Sequence, residues 1–214
     1  MKDELEYLYG RRKEVYVIRT GVDLNIFKPR NKILAKKKLG LEKNKIYGLY
    51  IGRGGYWMKG LDKTISLSKE IFNKNQNFRL LVIGADIEKV RRFLDNRFVI
   101  FLPPQTQNKI YYYYNASDIF FCLSRYEGGG PTLVTSEAMA SGCLIVTDEE
   151  AKQEVLNSSN SIIVKDNYSK EAEKIIKILN NKKEKNQIIS NVLRDVKKLS
   201  LENWASNSLK IILK

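Results

Sequence analysis

The feature that most constrains this chain is a regular alternation of short apolar runs with amphipathic stretches. Runs at 15–19, 46–51, 78–83, 98–102, 119–123, 143–146 and 162–164 are rich in Ile, Val, Phe or Tyr. Such residues fit a pleated, buried surface. Between them, residues 31–39, 60–74, 86–94, 106–115, 132–141, 149–157 and 168–180 carry helical periodicity. In the second of these, Leu61, Ile65, Leu67, Ile71 and Phe72 share one broad face. Strands alternating with helices predict an α/β domain, a parallel sheet covered by helices on both faces. Residues 181–214 break the alternation and predict two further helices, with apolar faces at Trp204 and over 209–213. Residues 1–14 read as a short helix or linker. The expected organisation is therefore a linker over 1–14, one α/β domain over 15–180 and a helical tail over 181–214.

Composition removes several kinds of chemistry. The 214 residues include no histidine, which excludes Ser-His-Asp and Cys-His nucleophiles, His general bases and His-containing zinc sites. The two cysteines, Cys122 and Cys143, lie in apolar runs without CxxC spacing and read as buried reduced thiols. The 119–123 run, five residues, is among the longest apolar stretches, far short of a bilayer span. The polar N-terminus does not resemble a signal peptide, so a cytoplasmic location is expected. Net charge is +14, with +9 in residues 1–60 and +6 in residues 151–214. Such a surface attracts phosphate-rich partners or anionic lipid. Much of the excess is lysine at expected exposed helix positions such as Lys36, Lys37 and Lys38, and a composition bias toward Lys, Asn and Ile is the simpler reading of it. No RRM, KH, helix-turn-helix or zinc signature supports nucleic acid.

In open α/β sheets, ligands bind beyond the carboxyl ends of the strands, and three loops there carry unusual chemistry. The first runs from Gly52 to Gly60 and holds Arg53 and Lys59 among glycines. A diphosphate clamp and a surface turn with two solvated charges both satisfy it. The second, Ser124-Arg125-Tyr126-Glu127-Gly128-Gly129-Gly130-Pro131-Thr132, leads into a helix. Consecutive glycines are costly in chain entropy unless the geometry needs them, and a helix start approached by glycines can hold an anion. Glu127 at the loop mouth and Glu137 inside the helix could accept hydrogen bonds from sugar hydroxyls. The bland reading makes Glu127 a solvated carboxylate. The third, Phe101-Leu102-Pro103-Pro104-Gln105, is either a stiff turn or a wall for a flat base. The run Tyr111 to Tyr114 cannot form a single helical stripe and marks no site.

Taken together these loops resemble the C-terminal, nucleotide-sugar-binding domain of GT-B glycosyltransferases of the family-4 type. The likeness begins with Val17-Ile18-Arg19-Thr20-Gly21-Val22-Asp23, with Thr20 where the family often has Asn, and Phe27-Lys28-Pro29. It continues through Gly52-Arg53, Lys59-Gly60, the 101–105 segment and Ala116-Ser117-Asp118, then Ser124, Glu127-Gly128, Glu137 to Gly142, and Glu154. The resemblance implies a Rossmann-like, doubly wound sheet with extra C-terminal helices. It implies a retaining sugar transfer from a nucleoside diphosphate, with no metal or resident cofactor in this domain. Arg53 and Lys59 would hold the diphosphate and stabilise the leaving group, with Glu127, as catalytic residues. Gly52, Gly128, Gly129, Gly130, Thr132 and Leu133 would line the donor, Glu137 would take the ribose, and Leu102 and Pro103 would border the base. The family's paired acids usually have seven residues between them, whereas nine lie between Glu127 and Glu137. A whole enzyme of this kind has a second, acceptor-binding half, so the resemblance also implies a partner domain, with the tail over 181–214 packing back toward it. A non-catalytic nucleotide-sugar-binding module is the alternative. A basic surface facing a membrane would suit a lipid-linked acceptor.

Overall fold

The computed structural model describes residues 6–8, 10, 16–52, 56–84, 95–125, 132–151 and 153–213. Its centre is one sheet of six strands, β1 (Ile46–Ile51), β2 (Phe78–Ile83), β3 (Val99–Leu102), β4 (Ile119–Cys122), β5 (Leu144–Asp148) and β6 (Ile162–Val164). Their spatial order is β3-β2-β1-β4-β5-β6, and every neighbouring pair is parallel. The helices are α1 (Lys32–Lys38), α2 (Leu61–Lys74), α3 (Gln107–Ala116), α4 (Leu133–Ala140), α5 (Tyr168–Asn180), α6 (Lys182–Val196) and α7 (Leu201–Ile212). The expected doubly wound α/β sheet is present.

Successive side chains on the strands enter separate cores. Leu49, Leu81, Phe120 and Ile145 face Tyr114 of α3, Met139 of α4 and Val192 of α6. Their neighbours Tyr50, Leu80, Phe121 and Val146 face Leu67 and Ile71 of α2 and Ile175 of α5. Strands apolar on both faces are what a doubly covered parallel sheet requires. Asp118 pins the centre at the amino end of the strands: its Oδ2 accepts from the Tyr47 amide at 3.0 Å and its Oδ1 from Lys32 Nζ at 2.5 Å. Cys122 and Cys143 are buried, and burial pushes the Cys143 thiol up to about 12.

Three expectations are corrected. The run at 15–19 forms no strand over its described residues 16–19; Tyr16, Val17 and Ile18 are exposed instead. The sheet is complete without them, and Val22 instead makes an isolated bridge with Ser200. The stretch 149–157 forms turns rather than a helix over its described residues. Its polar groups bind locally: Asp148 Oδ1 accepts from the Ala151 amide at 2.7 Å, and Asn160 Oδ1 from the Asn157 amide at 2.8 Å. Lys36 is buried rather than exposed. Its Nζ donates to the carbonyls of Lys43 and Lys45 at 3.2 and 2.6 Å, and desolvation lowers its pKa. The stretch 86–94 lies outside the described residues.

The chain builds β1, β2 and β3 outward on one side, then returns to place β4 on the other flank of β1. A crevice opens at that reversal. The loops after β1 and β4 meet there at Gly60, which sits at φ 65°. A Cβ on Gly60 would lie 1.9 Å from the Leu123 carbonyl oxygen and 2.4 Å from its carbon. Replacing Gly60 by Ala is expected to cost about 3 kcal/mol or more, from a left-handed backbone plus a backbone collision. Urea unfolding measures it; a loss under about 1 kcal/mol would contradict the close approach.

Candidate functional site

A cavity of about 680 Å³ occupies the crevice at the carboxyl ends of the strands. The loop after β1 contributes Gly52 and Lys59, the loop after β4 contributes Ser124, and the amino end of α4 contributes Thr132 and Leu133. Gly52 is held by its amide, which donates to the Ile83 carbonyl at 3.1 Å. The Tyr50 hydroxyl lies 2.5 Å from where a Cβ on Gly52 would stand. Close approach of that ring to the main chain therefore requires glycine.

Arg125 ties the two loops together. Its guanidinium forks onto Asp62, with Nη1 donating to Oδ1 at 2.8 Å and Nη2 to Oδ2 at 2.7 Å. It also donates to the Trp57 carbonyl at 2.5 Å and lies 4.5 Å over the Trp57 ring. Its backbone amide donates to the Met58 carbonyl at 3.0 Å. A planar fork satisfies all these partners at once, which a lysine could not do. The clamp fixes the segment that carries Lys59 against the end of β4.

The amino end of α4 is placed with similar care. Thr132 caps it, Oγ1 accepting from the Thr135 amide at 3.3 Å. The Thr132 amide donates to Gln153 Oε1 at 2.9 Å, and Gln153 Nε2 donates to Cys122 Sγ at 3.1 Å and Thr135 Oγ1 at 3.2 Å. Buried Gln153 thus fastens the start of α4 to the end of β4. First-turn amides have no carbonyl of their own helix to bind; Leu133 and Val134 stand at the cavity wall.

Glu137 reaches the same cavity from inside α4 and is only 8% exposed. Tyr114 of α3 donates its hydroxyl to Glu137 Oε2 at 2.7 Å. Burial pushes the Glu137 carboxyl above its ordinary value, and the Tyr114 hydrogen bond acts against that rise. Burial, followed by the nearby Glu137 charge, drives the Tyr114 phenol well above its own. The pair is therefore a buried acceptor with one oxygen engaged and its position set by α3.

Five of the residues expected at the site line this one cavity: Gly52, Lys59, Thr132, Leu133 and Glu137. Leu102 and Pro103 do not; the wall there is made by the next two residues, Pro104 and Gln105. Leu102 turns toward the core, and the Pro103 carbonyl accepts from Gln105 Nε2 at 2.7 Å. Arg53, Glu127, Gly128, Gly129 and Gly130 lie outside the described residues. Glu154 is paired with Arg19, whose Nε donates to it at 3.0 Å, away from the cavity. Tyr114, Arg125 and Gln153 were missed by sequence reasoning. Tyr114 was hidden among four consecutive tyrosines, and Gln153 in a stretch read as helix.

A family model described as glycosyl transferases group 1 matches residues 31–195. The C-terminal domain of a group 1 family glycosyl transferase, LpcC from Francisella tularensis, superposes with a TM-score of 0.70 at 25% identity. It covers 85% of this chain and 100% of that domain. Anabaena HepE, solved in complex with UDP and glucose, superposes with a TM-score of 0.75 at 18% identity, over 93% of this chain and 56% of that one. D-inositol 3-phosphate glycosyltransferase from Rhodococcus erythropolis is 29% identical over 156 residues, which is 66% of this chain and 35% of that protein. The chain spans about a third of the length of the curated relatives it matches.

The buried carboxyl has a measurable consequence. A raised native pKa means the folded chain holds the Glu137 proton to higher pH than the unfolded chain does. Its contribution to stability is then lost as pH rises from the unfolded value toward neutrality. Glu137→Gln keeps an acceptor for Tyr114 and removes the charge. Its melting temperature is expected to exceed the parent's at pH 7, the gap closing toward pH 4; parallel melting curves would contradict this. Tyr114→Phe leaves the carboxylate without its donor and is expected to cost about 1–3 kcal/mol at pH 7.

Proposed function

The chain belongs to the group 1 glycosyl transferases, and on that footing we propose that it is the donor-binding half of a retaining sugar transferase using a nucleoside-diphosphate sugar. The observation that carries this reading is the meeting of Lys59, the amino end of α4 and Glu137 on one cavity. A cation and helix-start amides suit a diphosphate. A buried carboxylate with one oxygen engaged suits a vicinal diol.

In this reading the diphosphate lies against the amides of Leu133 and Val134, with Lys59 and Arg53 bracing its oxygens. Lys59 and the helix-start amides are in place before the glycosidic bond breaks, so they stabilise the diphosphate as negative charge develops on it. Glu137 accepts from the ribose hydroxyls, held in place by Tyr114. The base rests along the wall made by Pro104 and Gln105, and Glu127 contacts the donor sugar. The donor is a substrate, and no resident metal or cofactor takes part. HepE, found with UDP and glucose, supports this ligand class.

Transfer also needs an acceptor-binding half, either elsewhere in a longer protein or on another chain. One wall of a cleft cannot exclude water or orient an acceptor. We assign the contact with that half to α7 and the strandless segment over 16–18. None of the residues of α7 is buried, and Trp204, Leu209 and Ile212 are exposed there beside Val17. Gly21 lets α7 approach, since a Cβ on it would meet Trp204 Cβ at 2.8 Å.

Calorimetry with UDP, GDP and a panel of their sugars tests the reading. At least one ligand is expected to bind, with little turnover by this chain alone. Lys59→Ala and Glu137→Gln are each expected to weaken binding about tenfold or more, the scale of a lost charged hydrogen bond. Absence of binding across the panel, or binding indifferent to both changes, would sink the proposal.

A further inference from the structure

Half of the net charge of +14 falls within residues 28–45, which hold eight cations and a single carboxylate, Glu42. The packing of α1 sorts those cations. Lys36 points inward to main-chain carbonyls, and Lys32 pairs with Asp118 at 2.5 Å. Arg30, Lys37, Lys38 and Lys43 remain at the exposed surface. Between them Ile33 and Leu34 are 51% and 59% exposed. At 100° per residue, Ile33, Leu34, Lys37 and Lys38 fall on one side of α1, opposite Ala35 and Lys36.

The position of this face is fixed. The Arg30 amide donates to Asn115 Oδ1 at 2.5 Å. Asn115 and Asp118 lead into β4, and Lys45, which Lys36 holds, leads into β1. The helix therefore lies at the amino end of the strands, the opposite end from the cavity. It differs from the other lysine-rich stretch at the start of α6. There Lys182, Lys183 and Lys185 flank Glu184, and the aliphatics Ile188 and Ile189 turn toward the cores.

We propose that this face of α1 docks on an anionic membrane surface. Ile33 and Leu34 enter the boundary between headgroups and acyl chains, and Lys37 and Lys38 meet the anionic headgroups. A pair of exposed aliphatic side chains beside two lysines on the same helix face is complementary to such a surface. Along the phosphate backbone of a nucleic acid the same two side chains would gain nothing, because phosphates offer them no apolar partner. Docking this way leaves the cavity mouth facing solvent. The inference does not depend on what the cavity binds.

Co-sedimentation of the full chain with vesicles tests it, using phosphatidylcholine alone and phosphatidylcholine with phosphatidylglycerol. The chain is expected to pellet with the anionic vesicles and to remain in solution with the neutral ones. Lys37→Glu with Lys38→Glu is expected to lower the partition coefficient at least about tenfold, since each cation near such a surface is worth about fivefold. Ile33→Ser with Leu34→Ser is expected to remove the part of binding that persists at high salt. Lys182→Glu with Lys183→Glu makes the same change in net charge elsewhere and is expected to shift partitioning by less than about twofold. Unchanged melting temperatures establish that each variant is folded. Four results would overturn the proposal: no pelleting, equal losses from the two charge reversals, no effect of the serine pair, or tighter binding to an oligonucleotide that responds to the same variants.

Discussion

Everything at the carboxyl end of the sheet depends on two loops passing closer than side chains allow. The Gly60 main chain lies against the Leu123–Ser124 peptide with no room for a Cβ, and Arg125 locks that approach through Asp62 and Trp57. Relax this contact and Lys59 no longer shares a cavity with α4. The topological reversal between β1 and β4 creates a crevice in any sheet of this order. The glycine and the arginine turn the crevice into a cavity whose polar groups converge.

A site built this way carries costs in stability. Glu137 is a carboxylate in a place that disfavours charge, and a single phenol compensates it only in part. Gln153 spends its side-chain amide on fixing the start of α4. Such arrangements make sense where a ligand completes the hydrogen bonding. They hold acceptors and donors in position before the ligand arrives, so less ordering remains to be done on binding.

The fold was legible in the sequence because apolar runs and helical periodicity report burial directly. Strands β1 and β2 and helix α5 fall at the boundaries that the pattern predicts. The errors have physical causes. The run at 15–19 has strand-like composition, but nothing local marks whether a sheet has room for it. The stretch 149–157 has helical spacing, yet the flanking Asp148 and Asn160 side chains capture its amides at Ala151 and Asn157 first. At the site, glycines and the charged loop residues announced themselves by type and spacing. Tyr114 and Gln153 did not, because their roles exist only once distant elements are brought together. Lys36 illustrates the same limit: the sequence shows three lysines in a row, and only packing shows that one of them points inward.

Amide hydrogen exchange with and without UDP tests the central claim most directly, because it reports where on the chain a ligand settles. The account predicts slowed exchange at the amides around Leu133 and Val134, at Lys59 and Gly60, and along the turn of α4 that bears Glu137. A UDP footprint confined to another face of the molecule, with those amides exchanging as before, would contradict it.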